Sequence, residues 1–172
     1  MVWGGARKGK ARAASAMQGA GNRRKRRVVR VNCSDIPQQS RAAERCGYRS
    51  GAVRGAVRDT TGKLALANNG TLHLDEVSDL PKAFQAKLIA VIQDGAFRRI
   101  GDAYDTPVSL RIVSTTARDL AIEVRTERFR QDLYFELSVL PIQCDALKDR
   151  PDDIPSLAQH FLDRASRLSL IH

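Results

Sequence analysis

Two adjacent carboxylates, Asp75 and Glu76, end an apolar run in the stretch GTLHLDE at residues 70–76. Such a pair can mark the carboxyl end of a strand as a catalytic edge. The same pattern also suits a strand that has simply reached solvent. A second candidate lies upstream. In GGARKGK, residues 4–10, Gly4, Gly9 and Lys10 have the spacing G-x-x-x-x-G-K. A loop of this kind turns backbone N–H groups toward phosphates, and its lysine reaches the outer phosphates. Ala11 stands where a hydroxyl would ligate magnesium, and by itself the stretch reads equally well as a basic turn.

The elements that must position these groups alternate. Residues 10–18 are Ala-rich and predict a helix. VVRVNC at 28–33 predicts a strand, as does TLHLD at 71–75. Residues 40–60 predict a loop with some helix. Leu80, Phe84, Leu88, Val91 and Ile92 recur at helical spacing, with Ser78 or Asp79 as cap, Pro81 in the first turn and Gly95 as the stop. VSLRIVSTT at 108–116 predicts a strand, 119–127 and 129–137 helices, SVLPIQC at 138–144 a strand, and 152–168 a helix. Strands alternating with helices imply a parallel sheet with helices on its faces, whose ligands sit beyond the carboxyl ends of the strands. Asp75 and Glu76 fall at such an end.

Of the other reactive residues, mid-strand His73 is expected to be packed, and His160 to lie on the surface. Cys33, Cys46 and Cys144 show no metal-ligand spacing and suit a reducing cytosol, with Cys33 and Cys144 expected to be buried. Tyr134 and Phe135 are expected to pack. No apolar run approaches the length of a membrane span, so no membrane partner is expected. The net charge is +10, and residues 1–30 hold ten Lys or Arg and no acid. The excess includes RRKRR at 23–27, which reads as a solvated basic loop or as a nonspecific nucleic-acid contact.

GTLHLDEVSDLPKAFQAKLIAVIQDGAFRRIG resembles the Walker B region of sigma-54-dependent transcriptional activators, the bacterial enhancer-binding AAA+ ATPases. The resemblance continues through VSLRIVSTTARDL, RFRQDLYFELSVLPI and LKDRPDDIPSLAQHFL, and covers residues 2–164. It implies an α/β P-loop NTPase (AAA+) fold, a parallel sheet flanked by helices. It further implies ATP and magnesium as cofactors, a homo-oligomeric ring, sigma-54 RNA polymerase as partner and a bacterial cytoplasm. Gly4, Gly9 and Lys10 match the phosphate loop. Asp75 matches the magnesium acid, Glu76 the catalytic base, and Asn32 the polar residue that restrains it. Thr116 lies in the sensor segment, and Arg130 matches an arginine finger acting on the neighbouring subunit.

Departures from the family pattern sit at functional positions. The partner loop Gly51, Ala52, Val53, Arg54, Gly55, Ala56 carries Val-Arg where the family carries Phe-Thr, which predicts loss of sigma-54 contact. Glu136 replaces a second arginine finger, Ala117 an asparagine, and Arg7 and Lys8 small residues of the phosphate loop. Only three residues precede Gly4, so most of the family's first core strand is expected to be lacking, as is the C-terminal helical lid. The expected organisation is one partial AAA+ domain over residues 1–172, with a basic segment carrying the phosphate loop at 1–27 and the remaining α/β core at 28–168. The expected function is an ATP-binding module of a transcriptional regulator with impaired hydrolysis. The alternative is a catalytically inactive paralogue or gene fragment serving as an interaction module.

Overall fold

The computed structural model describes residues 1–5, 9–35, 47–48, 60–99 and 102–169. A five-stranded sheet forms its centre: β1 (Val2–Trp3), β2 (Val28–Asn32), β5 (Thr71–Asp75), β8 (Arg111–Thr116) and β9 (Ile142–Gln143). Their spatial order is β2-β5-β8-β1-β9, and every pairing is parallel. Two small antiparallel strand pairs stand apart, β3 (Gly47–Tyr48) with β4 (Thr60–Thr61) and β6 (Ala96–Phe97) with β7 (Thr106–Pro107).

Parallel neighbours need crossovers, and helices supply them. The helices are α1 (Lys10–Ala20), α2 (Lys63–Leu66), α3 (Lys82–Asp94), α4 (Leu120–Arg125), α5 (Gln131–Leu137) and α6 (Asp153–Ser169). Strand alternation divides the two sheet faces. Leu72 and Leu74 of β5 join Val31, Leu88 and Leu133 in the main apolar core, all at most 2% exposed. Each such side chain contributes about 1.5–3 kcal/mol by leaving water. Thr71 and His73 point the other way, and Gln18 of α1 accepts a 2.6 Å hydrogen bond from Thr71 Oγ1. The sheet-facing stripe of α1 is Lys10, Ala14 and Gln18, one residue per turn and all buried.

Several boundaries differ from the sequence expectations. Neither Ser78 nor Asp79 caps α3; both lie in a 3₁₀ turn over Val77–Asp79, and Pro81 itself is the N-cap residue. Gly95 does end α3, at φ 61°. Residues 108–110 and most of 138–144 stay outside the sheet, since β8 begins at Arg111 and β9 holds only Ile142 and Gln143. Val108 N–H is spent on Gly95 O, and Ser109 O accepts from Asn69 N–H, so this stretch is tied to turns. Phe135 is 61% exposed rather than packed, and Cys144 is only half-buried. The first core strand is present as a two-residue β1 that still pairs on both sides, Val2 with Thr115 and with Ile142. The 40–60 expectation and the 51–56 loop lie outside the described residues, apart from the β3 and β4 backbone.

Candidate functional site

The carboxyl ends of β1, β2, β5 and β8 gather the candidate residues at one edge. Gly4 follows β1, and its N–H donates to Thr116 O at 3.2 Å. Its φ is 150°, and a Cβ there would stand 2.4 Å from Cys144 O, so the backbone passes where only glycine fits. Gly9 opens α1 at φ 85° in the left-handed region, with no side-chain cap. The first N–H groups of a helix have no intrahelical acceptor, so this end is electropositive.

Lys10 links the helix to the paired acids. Its side chain is 7% exposed, its Nζ lies 3.4 Å from Glu76 Oε1, and it donates to Gly5 O at 3.1 Å. Glu76 holds left-handed backbone, φ 49° and ψ 58°, which a side chain adopts only against strain. That turn carries its carboxylate to Lys10 on one oxygen and to Ala117 N–H, at 2.8 Å, on the other. Thr115 Oγ1 donates to Asp75 Oδ1 and accepts from Glu76 N–H at 3.4 Å. Buried cation, two oriented carboxylates and a glycine-led helix start thus share one edge, an arrangement able to hold a polyphosphate and to orient a water beside it.

The remaining candidates are placed differently. Asn32 lies beside Asp75 in the β2–β5 register, and its Oδ1 accepts from Ser34 N–H. Among the described residues Glu76 is held by Lys10 and Ala117, not by Asn32. Thr116 is fully buried, and its hydroxyl turns to Arg118, donating to Arg118 O and accepting from Arg118 N–H. Arg130 stands away from this cluster, 47% exposed, in a two-pronged ion pair with Asp132. The hydrogen bonds of that pair raise the guanidinium's pKa and lower the carboxyl's. Glu136 accepts from Gln93 Nε2 at 3.0 Å. The loop residues Gly51, Ala52, Val53, Arg54, Gly55 and Ala56 lie outside the described residues, as do Arg7 and Lys8.

Four contributors escape a reading of the sequence. Thr115, not Thr116, faces the acids, although the two-residue period of a strand would have separated the neighbours onto opposite faces. The Ala117 contact is a backbone N–H that any residue would supply. Gln85, fully buried on α3, donates to Leu80 O and Arg128 O and accepts from Arg130 N–H, fixing the backbone that presents Arg130. Arg150 approaches the phosphate-loop candidate from the far end of the chain, its Nη2 standing 3.9 Å from where a Gly9 Cβ would be.

A family model described as the Sigma-54 interaction domain matches residues 1–143. The DNA-binding transcriptional activator HyfR of Escherichia coli (strain K12) is 39% identical over 159 residues, which cover 92% of this chain and 24% of that protein. The anaerobic nitric oxide reductase transcription regulator NorR of Aeromonas salmonicida is 46% identical over 143 residues, 83% of this chain and 28% of that protein. Crystal structures of NtrX from Brucella abortus are similar too. The ADP complex has a TM-score of 0.89 at 33% identity, covering 100% of this chain and 37% of that one. The ATP complex has a TM-score of 0.87 at 34% identity, covering 96% and 36%. The chain spans only 24% and 28% of the length of HyfR and NorR.

Proposed function

The chain belongs to the Sigma-54 interaction domain family, the AAA+ domain of sigma-54-dependent transcriptional activators, and from that premise we propose that it binds ATP at the Lys10–Asp75–Glu76 edge as part of a transcription regulator, with impaired hydrolysis. The observation that carries this reading is the buried Lys10 held against Glu76 at 3.4 Å, at the open end of a glycine-started helix. A buried cation on that helix start offers charge complementary to phosphate, and NtrX, a related protein, is known with ATP and with ADP. The residues present fit the nucleotide. Gly4, Gly9 and the first N–H groups of α1 would cradle phosphates, and Lys10 would exchange Glu76 for a phosphate oxygen. Arg150 would add a second cation near Gly9.

The fit for magnesium is leaner. Asp75 supplies one hard carboxylate oxygen, steadied by Thr115, while Ala11 brings no hydroxyl. Bound there, magnesium would neutralise charge on the outer phosphates. Once Lys10 turns to phosphate, Glu76 keeps its Ala117 N–H contact and gains a free oxygen with which to orient water. Asn32, beside Asp75 in the register, would restrain that carboxylate, and Thr116 would hold the sensor turn through Arg118.

Arg130 would act on a neighbouring copy's site in a ring, after releasing Asp132. Glu136 carries a negative charge where the family has a second finger, and it cannot stabilise a phosphoryl anion. Slow turnover follows from that charge, and with it a binding role that outlasts hydrolysis. The Val53-Arg54 pair, where the family carries Phe-Thr, would not hold sigma-54, although the family acts on sigma-54 RNA polymerase. The reading places residues 1–27 and 28–168 in one AAA+ unit working in a bacterial cytoplasm; among the described residues no helix is long and apolar enough to cross a membrane.

The test is a titration of a fluorescent ATP analogue against the parent chain and Lys10→Ala. The parent is expected to saturate and the variant to bind at least ten-fold more weakly. Equal affinities would remove the phosphate-loop assignment.

A further inference from the structure

The basic run at 23–27 is not spread evenly. Arg23 is committed to the fold: its guanidinium donates to Gly70 O at 2.9 Å, Ser109 O at 3.2 Å and Ser109 Oγ at 2.9 Å. Its carbonyl accepts from Gln18 Nε2 and from Arg26 N–H. Arg24 N–H closes a turn on Gly21 O, and Arg27 O accepts from Thr71 N–H at 2.9 Å, so the whole turn is fastened at both ends. The side chains of Arg24, Lys25, Arg26 and Arg27 are exposed, and among the described residues none of the four is in an ion pair. Arg111 lies against Gly21 at the start of the same turn.

This turn leads into β2 beside Gly70 and Ser109, which precede β5 and β8. It is therefore at the amino ends of the strands, while Asp75, Glu76 and Thr115 are at the carboxyl ends. A five-residue strand separates the two edges by about 16 Å. The four cations thus serve neither the nucleotide edge nor the core. A pre-ordered turn whose Arg and Lys side chains have no ion pair among the described residues attracts phosphates, and ordering costs are small because Arg23 already fixes the backbone. No aromatic residue lies in the run, so base stacking on single strands has no platform here. No apolar side chain lies between Arg23 and Arg27 to enter a bilayer beside the charges.

We propose that the Arg24–Arg27 turn is a docking surface for the phosphate backbone of duplex DNA, independent of base sequence and separate from the nucleotide edge. Four phosphate contacts give a slope of about −3.6 for log affinity against log salt. Between 50 and 200 mM salt the affinity is then expected to fall about 150-fold.

The experiment follows the anisotropy of a labelled DNA duplex with the full chain across that salt range. Replacing Arg24, Lys25, Arg26 and Arg27 by Ser should abolish the slope and leave binding of the fluorescent ATP analogue unchanged. Circular dichroism of that variant should match the parent. A charge-preserving variant, Arg24→Lys with Arg26→Lys and Arg27→Lys, should keep the slope, since Lys also serves phosphate as a point charge. A serine variant that retains the parental slope would overturn the proposal. So would binding to phosphatidylserine vesicles without binding to the duplex, or loss of the slope in the lysine variant. Failure of the duplex arm leaves the nucleotide titration untouched, so the two readings fail separately.

Discussion

Glu76 and Gly4 carry tight local constraints, and both lie at the strand ends. At Gly4 an added Cβ would meet a backbone oxygen at 2.4 Å, which no rotamer can relieve. Gly4→Ala is expected to lower unfolding free energy by about 2 kcal/mol or more, as strain at a special backbone position does. Urea denaturation checks this, and an unchanged midpoint would contradict the close approach. Thr115 is the residue that steadies Asp75 and the Glu76 amide. Thr115→Val keeps shape but leaves those groups without the hydroxyl. It is expected to weaken magnesium-dependent nucleotide binding while sparing binding without magnesium, whereas Thr116→Val should change neither. Equal effects of the two variants would restore the neighbour as the reaching residue.

At the scale of elements, the turn from α4 into α5 shows how Arg130 is held. Glu123 and Arg128 form a two-pronged pair at 2.7 and 3.0 Å, and Gln85 bonds the backbone on either side of Phe129. The hydrogen bonds from Arg128 lower the Glu123 carboxyl below its usual pKa. A carboxylate depressed in the fold stabilises it above its unfolded pKa, and that contribution is lost as pH falls through the folded value. Acid unfolding below the ordinary glutamate range should therefore be shallower in Glu123→Gln, which should also be less stable than the parent at neutral pH. An identical acid limb in both proteins would contradict the pair's role. The strands and helices around this turn were legible because their periods are local: the apolar residues of α3 and the β5 run need no knowledge of partners. Gln85 was not legible, since a glutamine among apolar helix positions looks like a solvent residue until three backbone groups converge on it. Arg150 and Thr115 were hidden for the same reason, because their roles arise from contacts far apart in sequence. The helix cap falls on Pro81 rather than Ser78 or Asp79 because both of those lie in the 3₁₀ turn that follows the left-handed Glu76.

For the molecule as a whole, the proposed nucleotide edge lies at the carboxyl ends of the strands, and at the amino ends stand four cations with no ion pair among the described residues. Turnover is expected to be far below that of a competent ring, since loss of one arginine finger alone costs about 10³ to 10⁵ in rate. Vigorous, concentration-dependent ATPase activity of the purified chain would contradict the role given to Glu136. Capture of sigma-54 is expected to be undetectable even with a transition-state nucleotide analogue, and grafting the Val53-Arg54 loop into an active relative should block promoter opening there. The central claim, that nucleotide seats on Lys10 in the folded chain, is tested most directly by thermal unfolding with and without ADP. A ligand at about 100 times its dissociation constant adds about 2.7 kcal/mol to the folded state. For a domain of this size that raises the midpoint by about 5 to 10 °C. That shift is expected in the parent chain and is expected to be absent in Lys10→Ala at the same ADP concentration. An equal shift in both proteins, or none in the parent at saturating ADP, would contradict that claim.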